Sequence, residues 1–265
     1  MTHPLLILHE GPVARVRLNR PELHNAFDAV LIAALTGALQ AAARDGAVRA
    51  VVLEGEGPSF SAGADLHWMR GMAAADEAEN REDALALARL MRTLDELPKP
   101  TIARVHGAAF GGGVGLVACC DIAVAADGTK FGLTESRLGL LPAVISPYVV
   151  EAIGARQARR WFATGETFDA ATALRLGLVH EAVPAEALDA AVQRQIDLLL
   201  KAGPHAAAAA KALVRRVAAG PDRDRLDADN AALIAQLRVS PEGQEGLSAF
   251  LGKRPPSWID AQQKR

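Results

Sequence analysis

Cysteine is almost missing from this chain. The two that occur, Cys119 and Cys120, are adjacent, which excludes a metal-ligand spacing and a framework of disulfides. They read as small buried core residues, and a reducing cytoplasm suits them. Long apolar runs are missing too: none reaches the roughly 18 to 20 residues of a membrane span. The opening stretch MTHPLLILHEGP has no cationic region followed by a long apolar segment, so no signal peptide is read there. Neither sign of charge dominates. The formal net charge is −2, no helix is rich in lysine, and no global field favours nucleic acid or an anionic membrane. No internal repeat is visible.

What is present is a chain of 265 residues, 50% hydrophobic and 23% charged. That suffices for one large domain, or one domain with a helical extension, without staples. The most informative stretch is His106 to Asp121, HGAAFGGGVGLVACCD. It follows an apolar run, Thr101 to Val105, that reads as a strand, and the pattern turns helical after Gly111, Gly112 and Gly113. A glycine run between a strand and a helix leaves backbone N–H groups bare at a helix N-terminus. Such a place suits an anion, permanent or developing during a reaction. By itself the triplet fits equally a tight turn that only packs. No Lys-Ser/Thr follows it, and GGGVG lacks the GxGxxG spacing, so neither a Walker loop nor a dinucleotide fingerprint is indicated.

Along the chain, Leu5 to Leu8 and Val13 to Leu18 flank Glu10-Gly11 and predict a hairpin. Arg15 and Arg17 alternate with apolar residues, as in a half-exposed strand. Residues 19–27 read as a loop, Asp28 as an N-cap, and the apolar spacing from Val30 to Ala42 as a helix. Val48 to Leu53 reads as a buried parallel strand. The polar segment Ala73 to Asp83 reads as a mobile stretch able to cover a pocket, and Leu87 to Leu97 as an amphipathic helix. Ile122 to Ala125 and Lys130 to Leu133 read as strands. Beyond Ser146 the chain is mainly helical, with a short late strand at Leu178-Val179. Alternating strands and helices predict an α/β fold with right-handed crossovers.

Three motifs together, Ser59-Phe60-Ser61-Ala62-Gly63-Ala64-Asp65-Leu66, the glycine stretch and Phe131-Gly132-Leu133-Thr134-Glu135, resemble the enoyl-CoA hydratase/isomerase family, the crotonases. The resemblance runs from about Val13 to Phe250-Leu251-Gly252-Lys253-Arg254. It implies a spiral of β-β-α units, with residues 1–200 as the core and 201–265 as a helical trimerisation region. It implies an acyl-CoA thioester substrate, no cofactor beyond the CoA of that substrate, no metal, and a homotrimer or dimer of trimers.

The chemistry so implied is stabilisation of an enolate. The N–H groups of Ala64 and Gly112 would bind the thioester oxygen, and Glu135, among Phe131, Leu133, Leu138 and Leu140, would carry protons with a pKa raised by burial. Hydratases of the family usually have a second glutamate at the position of Gly115. Its loss leaves Glu135 to make both proton transfers, or leaves an isomerase that needs one group only. Ala143 stands where some hydratases have a glycine whose backbone helps hold water. By the same resemblance, CoA lies along Leu23, Asn25, Ala26, Ala62, Gly63, Asp65 and Leu66, with Phe250 and Lys253 reaching it from a neighbouring subunit. SAGADLHWM (residues 61–69), the run around Gly115, and PAVISPYV (residues 142–149) look like bacterial methylglutaconyl-CoA and carboxygeranoyl-CoA hydratases. A distal carboxylate would want a cation, and His67, Arg70 and Arg137 are the candidates. Scaffolding and RNA-binding relatives of this fold define a non-catalytic alternative, against which the retained Glu135 counts.

Overall fold

The structure, a computed structural model, describes residues 3–220 and 222–259. The hairpin forms as expected: β1 (Leu5–Glu10) pairs antiparallel with β2 (Val13–Leu18), Leu5 opposite Leu18 and Glu10 opposite Val13. Asp28 accepts the Leu31 amide at 2.8 Å and opens α1 (Ala29–Arg44), which buries Leu31, Ile32, Leu35, Leu39 and Ala42 at helical spacing. β3 (Ala50–Gly55) follows, buried throughout. Next come α2 (Leu66–Ala74), α3 (Glu77–Asp95), β4 (Thr101–Val105), β5 (Ala108–Phe110), α4 (Gly112–Cys119), β6 (Ile122–Ala126) and β7 (Lys130–Gly132). A 3-10 turn spans Glu135–Leu138. After it stand α5 (Ser146–Ile153), α6 (Ala155–Thr164), β8 (Thr167–Asp169), α7 (Ala170–Leu176), β9 (Glu181–Val183) and α8 (Leu188–Lys201). The chain ends in α9 (Pro204–Ala218), α10 (Arg223–Val239) and α11 (Pro241–Leu251).

The larger sheet has the order β1-β2-β3-β4-β6-β9, parallel from β2 onward. A smaller sheet, β5-β7-β8, stands beside it, and two isolated bridges, Phe27 with Ala64 and Ser61 with Ala109, extend it. Successive turns of chain therefore add a strand to the large sheet and a short piece to the small layer, which is the spiral α/β architecture expected. One face of the large sheet packs Val13, Val52, Ile102 and Val124 against Leu188, Val192 and Ile196 of α8. The main core lies on the other face, between α1, α3, α4 and the sheet. Glu54 is buried on β3 between its two half-buried cations, Arg15 at 3.2 Å and Arg17 at 2.8 Å.

Two expectations need correction. The polar segment 73–83, given no regular structure from its sequence, is the end of α2, a turn, and the first turns of α3. Asp76 and Glu79 close a capping box there, and the Asn80 amide donates to the carbonyls of Met72, Ala75 and Asp76. The segment is polar because the burial of α3 is confined to Leu90, Met91 and Leu94. The late strand is Glu181–Val183, while Leu178 and Val179 are buried in the turn that leaves α7 at Gly177. β5 and β8, three residues each, carry too little periodicity to be read from sequence.

Cys119 and Cys120 are buried free thiols; burial pushes Cys120 up to about 12 and Cys119 well above its ordinary value. Among the described residues no group of His, Cys, Asp and Glu is placed to hold a metal, and no helix is long and apolar enough to cross a membrane. α9 buries no side chain and is tied to the core through Lys211 to Asp121 at 2.9 Å and Arg215 to Asp95 at 3.7 Å. Pro221 and residues 260–265 of the expected trimerisation region lie outside the described residues.

Candidate active site

Two loops are joined side by side. The Phe60 amide donates to the His106 carbonyl at 2.9 Å, Ser61 N–H to Ala108 at 3.0 Å, and Phe110 N–H to Ser61 at 3.0 Å. A first side-chain carbon placed on Gly63 would stand 2.9 Å from the Phe110 carbonyl oxygen, so Gly63 lies directly on the turn that starts the glycine run. On its other side this loop meets Phe27. The Phe27 amide donates to Gly63, and the Asp65 amide donates to Phe27 at 2.8 Å. A parallel bridge of this kind uses the peptide groups on either side of Ala64, so the N–H of Ala64 itself faces away from Phe27. It has no hydrogen-bond partner among the described residues.

Gly112 is the first residue of α4, and its N–H is likewise without a partner, as the first amides of a helix are. The Phe27 ring supports it: a Cβ on Gly112 would come 2.8 Å from Phe27 Cε2. Gly111 ahead of it has φ 48°, a left-handed conformation that favours glycine. Glu135 reaches this point from the start of the 3-10 turn. Its Oε1 lies 3.2 Å from where a Cβ on Gly111 would be, and Oε2 is buried without a partner. Burial raises the pKa of this carboxyl, offset in part by a hydrogen bond with its own backbone. Ala64, Gly112 and Glu135 are thus gathered around Gly63 and Gly111. The arrangement offers two amides with no partner, one of them at a helix N-terminus, beside a carboxyl whose proton is held more tightly than usual.

Other expected site residues sit differently. Gly115 is buried, its N–H bonded to Gly111 at 3.1 Å, and its α-carbon faces Ile145 and Met91. It supplies room for a hydrocarbon side chain and no polar group. The Ala143 N–H, expected to help hold water, donates to the Leu141 carbonyl at 2.8 Å. The tight turn through Pro142 imposes that bond and consumes the donor.

Along the expected CoA track, Ala62 and Leu66 are exposed, while Gly63 and Ala26 are buried. Leu23 is 40% exposed, and its N–H and C=O are taken by Arg20 and Ala26. The side chains of Asn25 and Asp65 are structural. Asn25 donates to Glu56 and Ser59 and accepts from the Arg20 amide. Asp65 caps α2 through the amides of His67 and Trp68. Phe250 and Lys253 stand at the far end of α11, and Phe250 is 80% exposed. His67, Arg70 and Arg137 are exposed.

Arg20 is a residue the sequence reading missed. Its guanidinium holds the Ala26 carbonyl at 2.8 Å, Asp28 at 2.9 Å and Asp65 at 3.6 Å, joining the loop to the caps of α1 and α2. Its only sequence signal is a charge beside Pro21. Replacing Asn25 by alanine should cost about 2 kcal/mol of stability, because it strands two carbonyls and an amide. Chemical denaturation would measure it, and a variant as stable as the parent would deny Asn25 that role.

The model of the family described as enoyl-CoA hydratase/isomerase matches residues 9–262. The fold is similar to the crystal structure of an enoyl-CoA hydratase from Shewanella pealeana, at 46% identity and a TM-score of 0.94, covering 97% of this chain and 96% of that one. It is similar to Pseudomonas aeruginosa AtuE at 40% identity and 0.93, over 96% and 99%. Among curated proteins, the 2,3-dehydroadipyl-CoA hydratase of Escherichia coli is 33% identical over 96% of this chain and 98% of its own.

Proposed function

This chain belongs to the enoyl-CoA hydratase/isomerase family, and from that premise we propose that it hydrates 3-methylglutaconyl-CoA to 3-hydroxy-3-methylglutaryl-CoA, a step of leucine and isoprenoid breakdown. At the coarser level, enoyl-CoA hydratase activity on an acyl-CoA is supported by the family and by relatives named as hydratases. The observation that carries the reading is Glu135, a partly buried carboxyl whose Oε2 is buried without a partner and whose Oε1 lies against Gly111.

In this mechanism the N–H groups of Ala64 and Gly112 bind the thioester oxygen. The Glu135 carboxylate takes a proton from water as the water oxygen bonds to C3. The C2–C3 π electrons move onto the thioester, whose oxygen gains the charge that the amides stabilise. Preorganised donors of this kind are worth roughly 3 to 4 kcal/mol each. The protonated Glu135 then returns its proton to C2. One group making both transfers fits a site in which Gly115 brings no second acid. The CoA lies along the loops of residues 23–26 and 62–66, where Ala62 and Leu66 are exposed. His67, Arg70 and Arg137 are the cations available to a distal carboxylate. The exposed Phe250 and Leu251 at the end of α11 suit contact with a second copy in a trimer or dimer of trimers.

The test is to incubate the enzyme with methylglutaconyl-CoA, crotonyl-CoA and a 3-enoyl-CoA in ¹⁸O-water and follow the products by mass. Oxygen uptake is expected with the first and a weaker reaction with the second. Conversion of the 3-enoyl ester without label, and no hydration of either 2-enoyl ester, would overturn the reading in favour of an isomerase.

A further inference from the structure

Gly111 and Gly115 stand one helical turn apart, joined by the Gly115 N–H to Gly111 C=O bond. Gly111 is the N-cap of α4 and Gly115 lies one turn inside the helix. Over the first lies the Glu135 carboxyl. Over the second lies Ile145, so closely that a Cβ on Gly115 would collide with its Cγ2 and come 2.9 Å from its Cβ and 3.2 Å from Met91 Cε. Half-buried Trp68 of α2, Leu87 of α3, Val144 and Tyr148 pack against the same core. The wall one turn below Glu135 is therefore hydrocarbon.

Resting on the hydratase reading, the thioester oxygen sits at the Gly112 amide, at the top of α4. The acyl chain leaves that point past Glu135 and runs down the glycine face. One turn of helix, about 5.4 Å, brings it to Ile145. We propose that Ile145 is a specificity-determining residue: seated on Gly115, its side chain sets the width open to substituents on and beyond the β-carbon of the 2-enoyl chain. Two opposite changes follow. Trimming Ile145 widens the slot. Adding a methyl group at Gly115 drives Ile145 toward the substrate and narrows it. A single methylene in such a pocket shifts discrimination by roughly 10- to 200-fold.

The experiment compares kcat/KM for crotonyl-CoA and for cinnamoyl-CoA, which bears a phenyl ring on the β-carbon, in the wild type, I145V, I145A and G115A. The ratio within each variant cancels its folded fraction. The cinnamoyl-to-crotonyl ratio should rise at least about 10-fold in I145A and by less in I145V, and should fall in G115A. An unchanged ratio in I145A, or in I145V if I145A folds poorly, overturns the proposal. A wild type that hydrates neither of these esters nor methylglutaconyl-CoA defeats the hydratase reading instead. The wall is then tested by the ratio of Kd for butyryl-CoA and 3-phenylpropanoyl-CoA, titrated calorimetrically. A shift of that ratio in I145A supports it, and an unchanged ratio refutes it.

Discussion

Replacing Glu135 by glutamine is expected to lower kcat by at least ~10²-fold, the lower end for loss of general acid–base catalysis, with KM for the CoA ester little changed. Glutamine keeps the size and the packing against Gly111 but cannot shuttle a proton. In the wild type the carboxylate is the working form, so kcat/KM should climb with pH through a value raised from that of a free glutamate and then level off. E135Q should lack that limb.

Stability moves the other way. The folded-state pKa is raised above the unfolded one, so the fold prefers the neutral carboxyl. That preference contributes fully below the unfolded pKa and is lost as pH rises through the folded pKa. At neutral pH the partly buried carboxylate is a liability that glutamine removes. E135Q should therefore melt at or above the wild-type temperature at neutral pH, with the advantage fading in acid. Near-normal turnover would remove Glu135 from the mechanism, and a lower melting temperature at neutral pH would show that its charged form is stabilised.

The largest effect on stability is expected from Gly107→Ala. Gly107 has φ 65° between β4 and β5, and a Cβ there would collide with the Pro58 carbonyl oxygen and lie 3.1 Å from Ser59 Cα. Those are backbone atoms of the loop that carries Ala64, and they cannot swing aside as a flexible side chain would. The left-handed conformation costs a non-glycine residue about 1 to 2 kcal/mol, and overpacking adds about 1 to 3. A loss of about 3 kcal/mol or more follows, or roughly 6 to 12 °C in Tm. Gly37, on the exposed face of α1 with nothing within 4 Å of its Cβ position, gives the matched contrast. There the same change should stabilise by about 0.5 to 1 kcal/mol, because alanine is the better helix former. Calorimetric melting of both variants decides it, and a G107A protein that melts with the wild type would refute the close approach to Pro58.

Much of this protein is written locally. The hairpin around Gly11, the Asp28 cap and apolar stripe of α1, the strand before the glycine run and the placing of Gly112 at a helix start each depend on residues within one or two turns. Composition and capping chemistry operate at that range, so the sequence determined these elements by itself. The three family motifs are legible for the same reason: each is a short backbone device. What the tertiary structure decided is which of their atoms remain available. The Ala64 amide is free because Phe27, far back in the chain, takes the peptide groups on either side of it. The Ala143 amide, equally plausible from sequence, is consumed within its own turn. The Asn25 side chain, in the stretch the resemblance gives to CoA, is a buried tie between loops. Gly115 reads from the sequence as a missing acid; in the fold it is the seat of Ile145. A residue's chemical type is fixed along the chain, but the partner that occupies or frees it is chosen across space, where long-range packing outweighs local pattern.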